Sequence, residues 1–280
     1  MPASEVLVTG GAGFIGSNLV ERLVADGFSV TVLDDLSTGR MENLEGLRNR
    51  FEFIKGDVRD AKAVAKAVEG KEAVFHMAAI ASVERSVRDP AGVEEVNVVG
   101  TLNLLKASAE CGVGRFVYPS SCSVYGEAKK LPIDEDSPTR PISPYGVSKL
   151  AAENYCGVFH RLFGLGTVSL RFVNVYGPRQ TRGPYSGVIT VFAERLARNE
   201  SLVIHGDGEQ TRDFVNVKDA VESCILAMER EEAAGGIFNV ASGKATSINE
   251  LARMMASIAG VKVGEVHADE RKGDIRHICG

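Results

Sequence analysis

The chain has 280 residues, 44% apolar and 25% charged, with a formal net charge of −5. A chain of that length and composition buries its own core, which excludes disorder as its main state, and the absence of a basic stripe argues against nucleic acid or an anionic membrane as its main partner. No apolar run reaches the roughly 18 residues of a membrane span, and the N-terminus lacks the pattern of a signal peptide.

The first predicted strand, Glu5–Val8, runs into a glycine turn with Gly10, Gly13 and Gly16, and the predicted helix Ile15–Ala25 follows. Glycine is needed where a chain turns sharply, where backbone approaches a pyrophosphate and where helix packs on strand. The free N–H groups of the helix start, at Phe14 and Ile15, and the dipole behind them then favour a phosphate. The second strand, Ser29–Leu33, ends at Asp34, where a carboxylate can accept from a ribose 2′-hydroxyl. No arginine directly follows Asp34, so NAD is expected rather than NADP.

Further strands are predicted at Phe51–Lys55, Ala73–His76, Arg115–Pro119 and Thr167–Phe172, and helices at Ala61–Val68, Val93–Glu110 and Tyr145–Phe163. Strands alternating with helices imply an α/β fold with a doubly wound parallel sheet of Rossmann type. After Asn174 the alternation becomes irregular: a loop at Arg179–Ser186, a helix at Val188–Asn199, a strand at Leu202–Ile204 and a loop at His205–Arg212. Phe214–Val217 and Ile237–Val240 read as strands that either return to the first sheet or build a small second one. With no linker or repeat visible, the expected division is a cofactor domain over 1–173 with returning segments near 213–240. A smaller, interleaved substrate region then covers 174–212 and 241–280.

Two features carry chemistry. Tyr145 and Lys149 stand four apart on one helix face. An adjacent ammonium and a cationic nicotinamide ring both favour a phenolate, so Tyr145 could exchange protons with a sugar hydroxyl near neutral pH. Ser120, Ser121 and Ser123 cluster where a strand ends, the place where active sites of open α/β sheets gather. The five cysteines (Cys111, Cys122, Cys156, Cys224, Cys279) are widely spaced, without a CxxC pair, and the histidines form no ligand pattern. Reduced thiols, a cytoplasmic location and no metal site are expected.

From Leu7 to about Asp274 the chain resembles the extended short-chain dehydrogenase/reductase family, in its nucleotide-sugar epimerase branch. The motifs are TGGAGFIGS (Thr9–Ser17), DDLSTG (Asp34–Gly39), GDVRD (Gly56–Asp60), HMAA (His76–Ala79), SSCSVYG (Ser120–Gly126), YGVSK (Tyr145–Lys149), RFVNVYGPRQ (Arg171–Gln180), GDGEQTRDFVNVKD (Gly206–Asp219) and RKGDIRH (Arg271–His277). The resemblance implies Tyr145 as catalytic base and acid, Lys149 on the nicotinamide ribose and Ser121 on the reacting oxygen. It implies Asp57 and Val58 beside the adenine, Ala78 by the cofactor phosphates, and Asn174, Arg212 and Arg271 on the substrate diphosphate. Family members that eliminate water or carbon dioxide carry an acid just after the Ser/Thr position; here Cys122 and Ser123 follow Ser121.

What the resemblance implies is therefore an NAD-dependent epimerase inverting C4 of a UDP-hexose such as UDP-glucose or UDP-galactose. The alternatives are an enzyme for UDP-N-acetylhexosamines or UDP-uronates, a net reductase, or a non-catalytic NAD-binding sensor. The resemblance further implies a homodimer through the Val93–Glu110 and Tyr145–Phe163 helices. It also puts Ile278, the seventh residue after Arg271, against the sugar at C2, where bulk decides whether an N-acetyl group fits. Two departures stand out. Ser82 occupies a position where some epimerases have lysine, and the sequence stops at Gly280 where members usually continue, so the pocket wall near Arg271 is expected to be open.

Overall fold

The computed structural model describes residues 4–180, 187–270 and 275–280. The first half runs β1 (Glu5–Thr9), α1 (Phe14–Ala25), β2 (Ser29–Asp34), β3 (Glu52–Lys55), α2 (Ala61–Val68), β4 (Ala73–His76), α3 (Val83–Arg88), α4 (Pro90–Glu94), α5 (Gly100–Glu110), β5 (Arg115–Ser121) and α6 (Pro144–Phe163). The second half runs β6 (Gly166–Phe172), β7 (Asn174–Tyr176), α7 (Val188–Ala197), β8 (Leu202–His205), β9 (Thr211–Asn216), α8 (Val217–Glu229), β10 (Ile237–Val240), β11 (Ala245–Ser247), α9 (Ile248–Ala259) and β12 (Glu265–Ala268).

Among the described residues, seven strands form one sheet in the order β10-β6-β5-β4-β1-β2-β3. Every pairing in it is parallel. The strand order reverses direction between β1 and β4, and in such sheets the ligand crevice lies outside the carboxyl ends of the strands at that point. The core strands are apolar along their whole length, as Val6, Leu7 and Val8 show, because helices cover both sheet faces. Leu19, Val20 and Leu23 of α1 and Val217, Val221 and Ile225 of α8 pack on one face. Leu104, Leu105, Ala152 and Cys156 of α5 and α6 pack on the other.

Beyond the first six strands the chain contributes to all three sheets. Ile237–Val240 returns to the large sheet, as edge strand β10 on β6. Phe214–Val217 instead belongs to a three-stranded sheet, β11-β9-β7. Its strand begins at Thr211, so Thr211 and Arg212 lie in β9 rather than in the expected loop, and Val217 starts α8. A third apolar cluster, with Phe192, Leu196, Ile204 and Leu251, sits under α7 and α9.

The helix expected over Val93–Glu110 starts earlier, at Pro90, and is interrupted by a π-turn at Glu95–Val99. There the chain widens by one residue and turns Asn97 inward. Its amide accepts from the Ile80 N–H (2.8 Å) and donates to the Ile80 carbonyl (3.2 Å) and to Ser148 Oγ (3.0 Å). Part of the Arg179–Ser186 loop lies outside the described residues. None of the described helices is long and apolar enough to cross a membrane.

Candidate functional site

A crevice of about 620 Å³ runs across the carboxyl ends of the large sheet. One end is built by the glycine turn. Gly10 has φ +65°, and a Cβ there would lie 2.6 Å from the Ala78 nitrogen. A Cβ on Gly16 would run into the Gly10 carbonyl oxygen. The Gly13 N–H donates to that same oxygen (3.0 Å). Helix α1 begins at Phe14 with no side chain capping its free N–H groups. Gly10, Gly13, Phe14, Ile15 and Gly16 all line the crevice. Two strands therefore approach at van der Waals limits and leave a backbone-lined anion seat at a helix N-terminus, which fits a dinucleotide pyrophosphate.

Asp34 is buried at the end of β2. Its Oδ2 accepts from the Ala12 N–H (2.9 Å) and its Oδ1 from the Leu36 N–H (2.8 Å), while Gly39 leaves room beside both oxygens. Burial raises the Asp34 pKa and the two backbone donors lower it, with burial the larger effect. Asp57 and Val58 line the same end with Arg59. The Arg59 guanidinium grips the Asp57 carboxylate (Nη2 to Oδ2, 2.6 Å), and this pairing holds the acid below its ordinary pKa.

His76, in the HMAA motif, lies buried at the end of β4 under Ala78. Its Nε2 is 2.9 Å from Thr101 Oγ1 and its Nδ1 2.8 Å from Thr9 Oγ1, which also accepts from the Ala78 N–H (3.2 Å). Because Thr101 already donates to the Asn97 carbonyl (2.6 Å), the partners assign the Nε2–H tautomer. Burial, then the Lys149 charge, push the ring down to about 3. The folded His76 site stays empty of protons where the unfolded chain takes one, so it removes stability as pH falls from about 6.5 toward 3. Its ring-proton NMR shifts are expected to stay flat between pH 8 and pH 5; a titration midpoint near 6.5 would contradict the geometry.

At the other end stand Ser121, Tyr145 and Lys149. The β5 strand delivers Ser121, and α6 presents Tyr145 in its first turn, with Ser143 capping the helix by accepting from the Gly146 N–H (3.1 Å). The Ser121 hydroxyl donates to Ser123 Oγ (3.1 Å) and acts on the neighbouring Tyr145 phenol, lowering its pKa. The Lys149 ammonium donates to the Pro119 carbonyl (2.8 Å) and lies 4.9 Å from the centre of the Tyr118 ring.

Here the electrostatics differ from the sequence reading. Burial dominates and pushes the Tyr145 phenol up to about 12, with the Ser121 hydrogen bond acting the other way. Burial also pushes Lys149 down to about 8. The phenol therefore keeps its proton at neutral pH, and the spacing of Tyr145 and Lys149 alone does not make a phenolate. Cys122 and Ser123 occupy the two positions after Ser121, and burial pushes the Cys122 thiol up to about 11.

The remaining expected residues are placed as follows. Asn174 and Arg212 both line the crevice. Arg212 is buried, and its Nη1 donates to the Thr211 carbonyl (2.8 Å). Arg271 lies outside the described residues, as do Tyr185 and Ser186. Ile278 is buried, at 6% exposure, and lines the crevice with Ile275. Its N–H donates to the Thr211 carbonyl (3.2 Å). The wall expected to be open is thus partly closed by the last residues of the chain. Arg85 lines the crevice from α3, a helix absent from the sequence reading, and Ser82 caps that helix by accepting from the Arg85 N–H (3.1 Å). A polar residue inside the apolar run Val96–Val99 was the available signal for Asn97. Among the described residues no group of three or more His, Cys, Asp or Glu could hold a metal ion.

Comparison with known proteins agrees with this geometry. The family described as "NAD dependent epimerase/dehydratase family" matches residues 6–241. A UDP-glucose 4-epimerase of Mycolicibacterium smegmatis is 44% identical over 277 residues, covering 97% of this chain and 88% of that protein. A solved UDP-glucose 4-epimerase of Thermotoga maritima with UDP-glucose is 40% identical, with a TM-score of 0.94 over 98% of this chain and 89% of that one. A UDP-N-acetylglucosamine 4-epimerase of Methanobrevibacter ruminantium in complex with UDP-N-acetylmuramic acid is also 40% identical, with a TM-score of 0.95 over 100% of this chain and 90% of that one. With a glycine cradle, a ribose-side carboxylate and a Ser–Tyr–Lys group in one crevice, the chain belongs to the NAD-dependent epimerase/dehydratase family and is an epimerase within it.

Proposed function

We propose that this enzyme inverts C4 of a UDP-hexose, interconverting UDP-glucose and UDP-galactose. The observation that carries the reading is the convergence of Ser121, Tyr145 and Lys149 in one crevice, with no carboxylate at the two positions after Ser121. Such a site can move a proton at the 4-oxygen but has no acid there to expel a leaving group.

NAD, when bound, supplies the acceptor and donor of the C4 hydride. Gly10, Gly13, Phe14, Ile15, Gly16 and Ala78 would hold its phosphates, Asp34 the adenosine ribose, and Asp57 and Val58 the adenine side. Tyr145 takes the proton of the 4-hydroxyl while Ser121 holds the oxygen. Because the phenol is pushed up to about 12, a cation beside it has to favour the phenolate, a charge that the oxidised nicotinamide would supply when bound, with Lys149 four residues along the same helix. Asn174, Arg212 and Arg271 keep the diphosphate in place while the 4-keto sugar turns its other face, and Tyr145 returns the proton. In this reading residues 1–173 with the returning strand β10 hold the cofactor, and 174–212 and 241–280 hold the substrate. Exposed Val99 on the π-turn and Val147 and Tyr155 on α6 suit a homodimer, and five free cysteines suit the cytoplasm.

Proton NMR of UDP-glucose, UDP-galactose and their N-acetylated forms with the pure protein tests the reading. Conversion of UDP-glucose without added cofactor is expected; no turnover of any of the four would refute it. Similarity to an N-acetylglucosamine epimerase keeps the N-acetylated sugars as the second reading. Ile278 separates the two. Its bulk in the crevice is expected to favour UDP-glucose over UDP-N-acetylglucosamine by roughly 10- to 100-fold in kcat/KM, since overpacking costs about 1–3 kcal/mol. Ile278→Ser should narrow the preference and Ile278→Tyr widen it. An unchanged preference in both variants would remove Ile278 as the gate.

A further inference from the structure

Next to Arg212 on β9 stands Asp213, fully buried, and its carboxylate has no role in the chemistry above. The four hydrogen bonds of its carboxylate serve two segments, the link after β10 and the end of the chain. Oδ1 accepts from the Ser242 N–H (2.9 Å) and the Ser242 hydroxyl (2.6 Å). Oδ2 accepts from the Gly243 N–H (3.0 Å) and the Gly280 N–H (3.3 Å). Ser242 and Gly243 belong to the link that leads from β10 of the large sheet to β11 of the small one. Gly280 belongs to the segment that carries Ile275 and Ile278 into the crevice.

That segment is also tied to β9 and to two acidic side chains. Thr211 N–H donates to the Arg276 carbonyl (3.0 Å), Ile278 N–H to the Thr211 carbonyl (3.2 Å) and Ile133 N–H to the Cys279 carbonyl (2.8 Å). The Arg276 N–H donates to Glu127 Oε1 (2.9 Å) and its guanidinium to Asp207 Oδ2 (2.6 Å), while the N–H of the last residue, Gly280, goes to Asp213. The Arg276 carbonyl also accepts from Arg212 Nη1 (3.3 Å), so the position of the tail bears on the seat of Arg212. The Asp213 carboxylate collects donors from both segments and so joins the link after β10 to the end of the tail on β9.

We propose that Asp213 is a positioning residue: by clasping Ser242, Gly243 and Gly280 it holds Ile278 as the wall of the crevice and Arg212 in its seat. This rests on the reading that the crevice takes a UDP-sugar. Hydrogen bonds to an ionised acceptor are the strong ones, and both carboxylate oxygens are needed because the donors approach from two sides. An asparagine cannot replace it. Whichever way its amide turns, an NH₂ group faces two donors.

The test uses NAD-loaded Asp213→Asn. Hydrogen exchange of the amides of Ile278 and Gly280 should rise at least tenfold, while those of β1 and β4 stay as they were. Calorimetric affinity for UDP-glucose should fall roughly tenfold, the scale of one lost charge-assisted hydrogen bond, and KM should rise more than kcat falls. The preference for UDP-glucose over UDP-N-acetylglucosamine should shrink. Unchanged tail exchange overturns the proposal, and so does faster exchange spread evenly over the chain, or a loosened tail with unchanged affinity. If Asp213→Asn does not fold, Ser242→Ala removes one donor only and should raise tail exchange by a smaller factor; a tail like that of the unmutated protein then overturns it. Should the unmutated protein turn over neither sugar, the epimerase reading fails, whereas exchange and affinity still decide the clasp.

Discussion

Tyr145→Phe is expected to keep NAD bound and to cut UDP-glucose turnover by at least ~10²-fold, because positioned acid–base groups contribute about 10²–10⁴. The argument rests on what surrounds the phenol. Ser121 is its side-chain partner, and burial pushes it up to about 12. A group so placed loses its proton only under the field of a nearby cation, and Lys149, pushed down to about 8, is still largely charged at pH 7. Phenylalanine keeps the ring and its packing and removes only the hydroxyl. Cofactor retention, read from the absorbance of the purified protein, separates lost chemistry from lost binding. Turnover within tenfold of the unmutated enzyme would take Tyr145 out of the mechanism. A further consequence is a fall in rate above about pH 8, as Lys149 gives up its proton; Lys149→Met should remove that limb.

Arg171→Met is expected to destabilise the protein by about 3–5 kcal/mol, since removing one partner of a buried ion pair strands the other charge. The Arg171 and Glu153 side chains are 5% and 2% exposed. The guanidinium meets the carboxylate twice (Nη2 to Oε1, 2.6 Å; Nε to Oε2, 3.0 Å). It also donates to the Tyr125 hydroxyl (2.7 Å), and Ser120 donates to Glu153 (2.6 Å). The pair therefore joins the end of β5, helix α6 and β6 directly behind Ser121 and Tyr145. Urea unfolding at pH 7 measures the loss. Adding Glu153→Leu to Arg171→Met removes the stranded charge and should recover part of the stability. A single variant within about 1 kcal/mol of the unmutated protein would show that water reaches Glu153.

The sequence by itself determined the framework of the cofactor half. All six early strands, the glycines at 10, 13 and 16, Asp34 at the end of β2, and Tyr145 and Lys149 on one helix face follow from near neighbours along the chain. Parallel strands covered on both sides read as apolar runs, and phosphate turns need glycine at set spacings, so local pattern suffices. Only the tertiary structure decided the rest. The short strands β7 and β11, three residues each, exist because β9 pairs with them, and neither carries a periodicity of its own. The π-turn that aims Asn97 depends on Ile80 and Ser148, which are distant in the chain. Burial, the dominant influence on Tyr145 and Lys149, is a property of everything packed around them and is not carried by their spacing along the chain. Ile278 lines the crevice with its N–H on the Thr211 carbonyl of β9, and no local signal encodes a contact between residues that far apart in the chain.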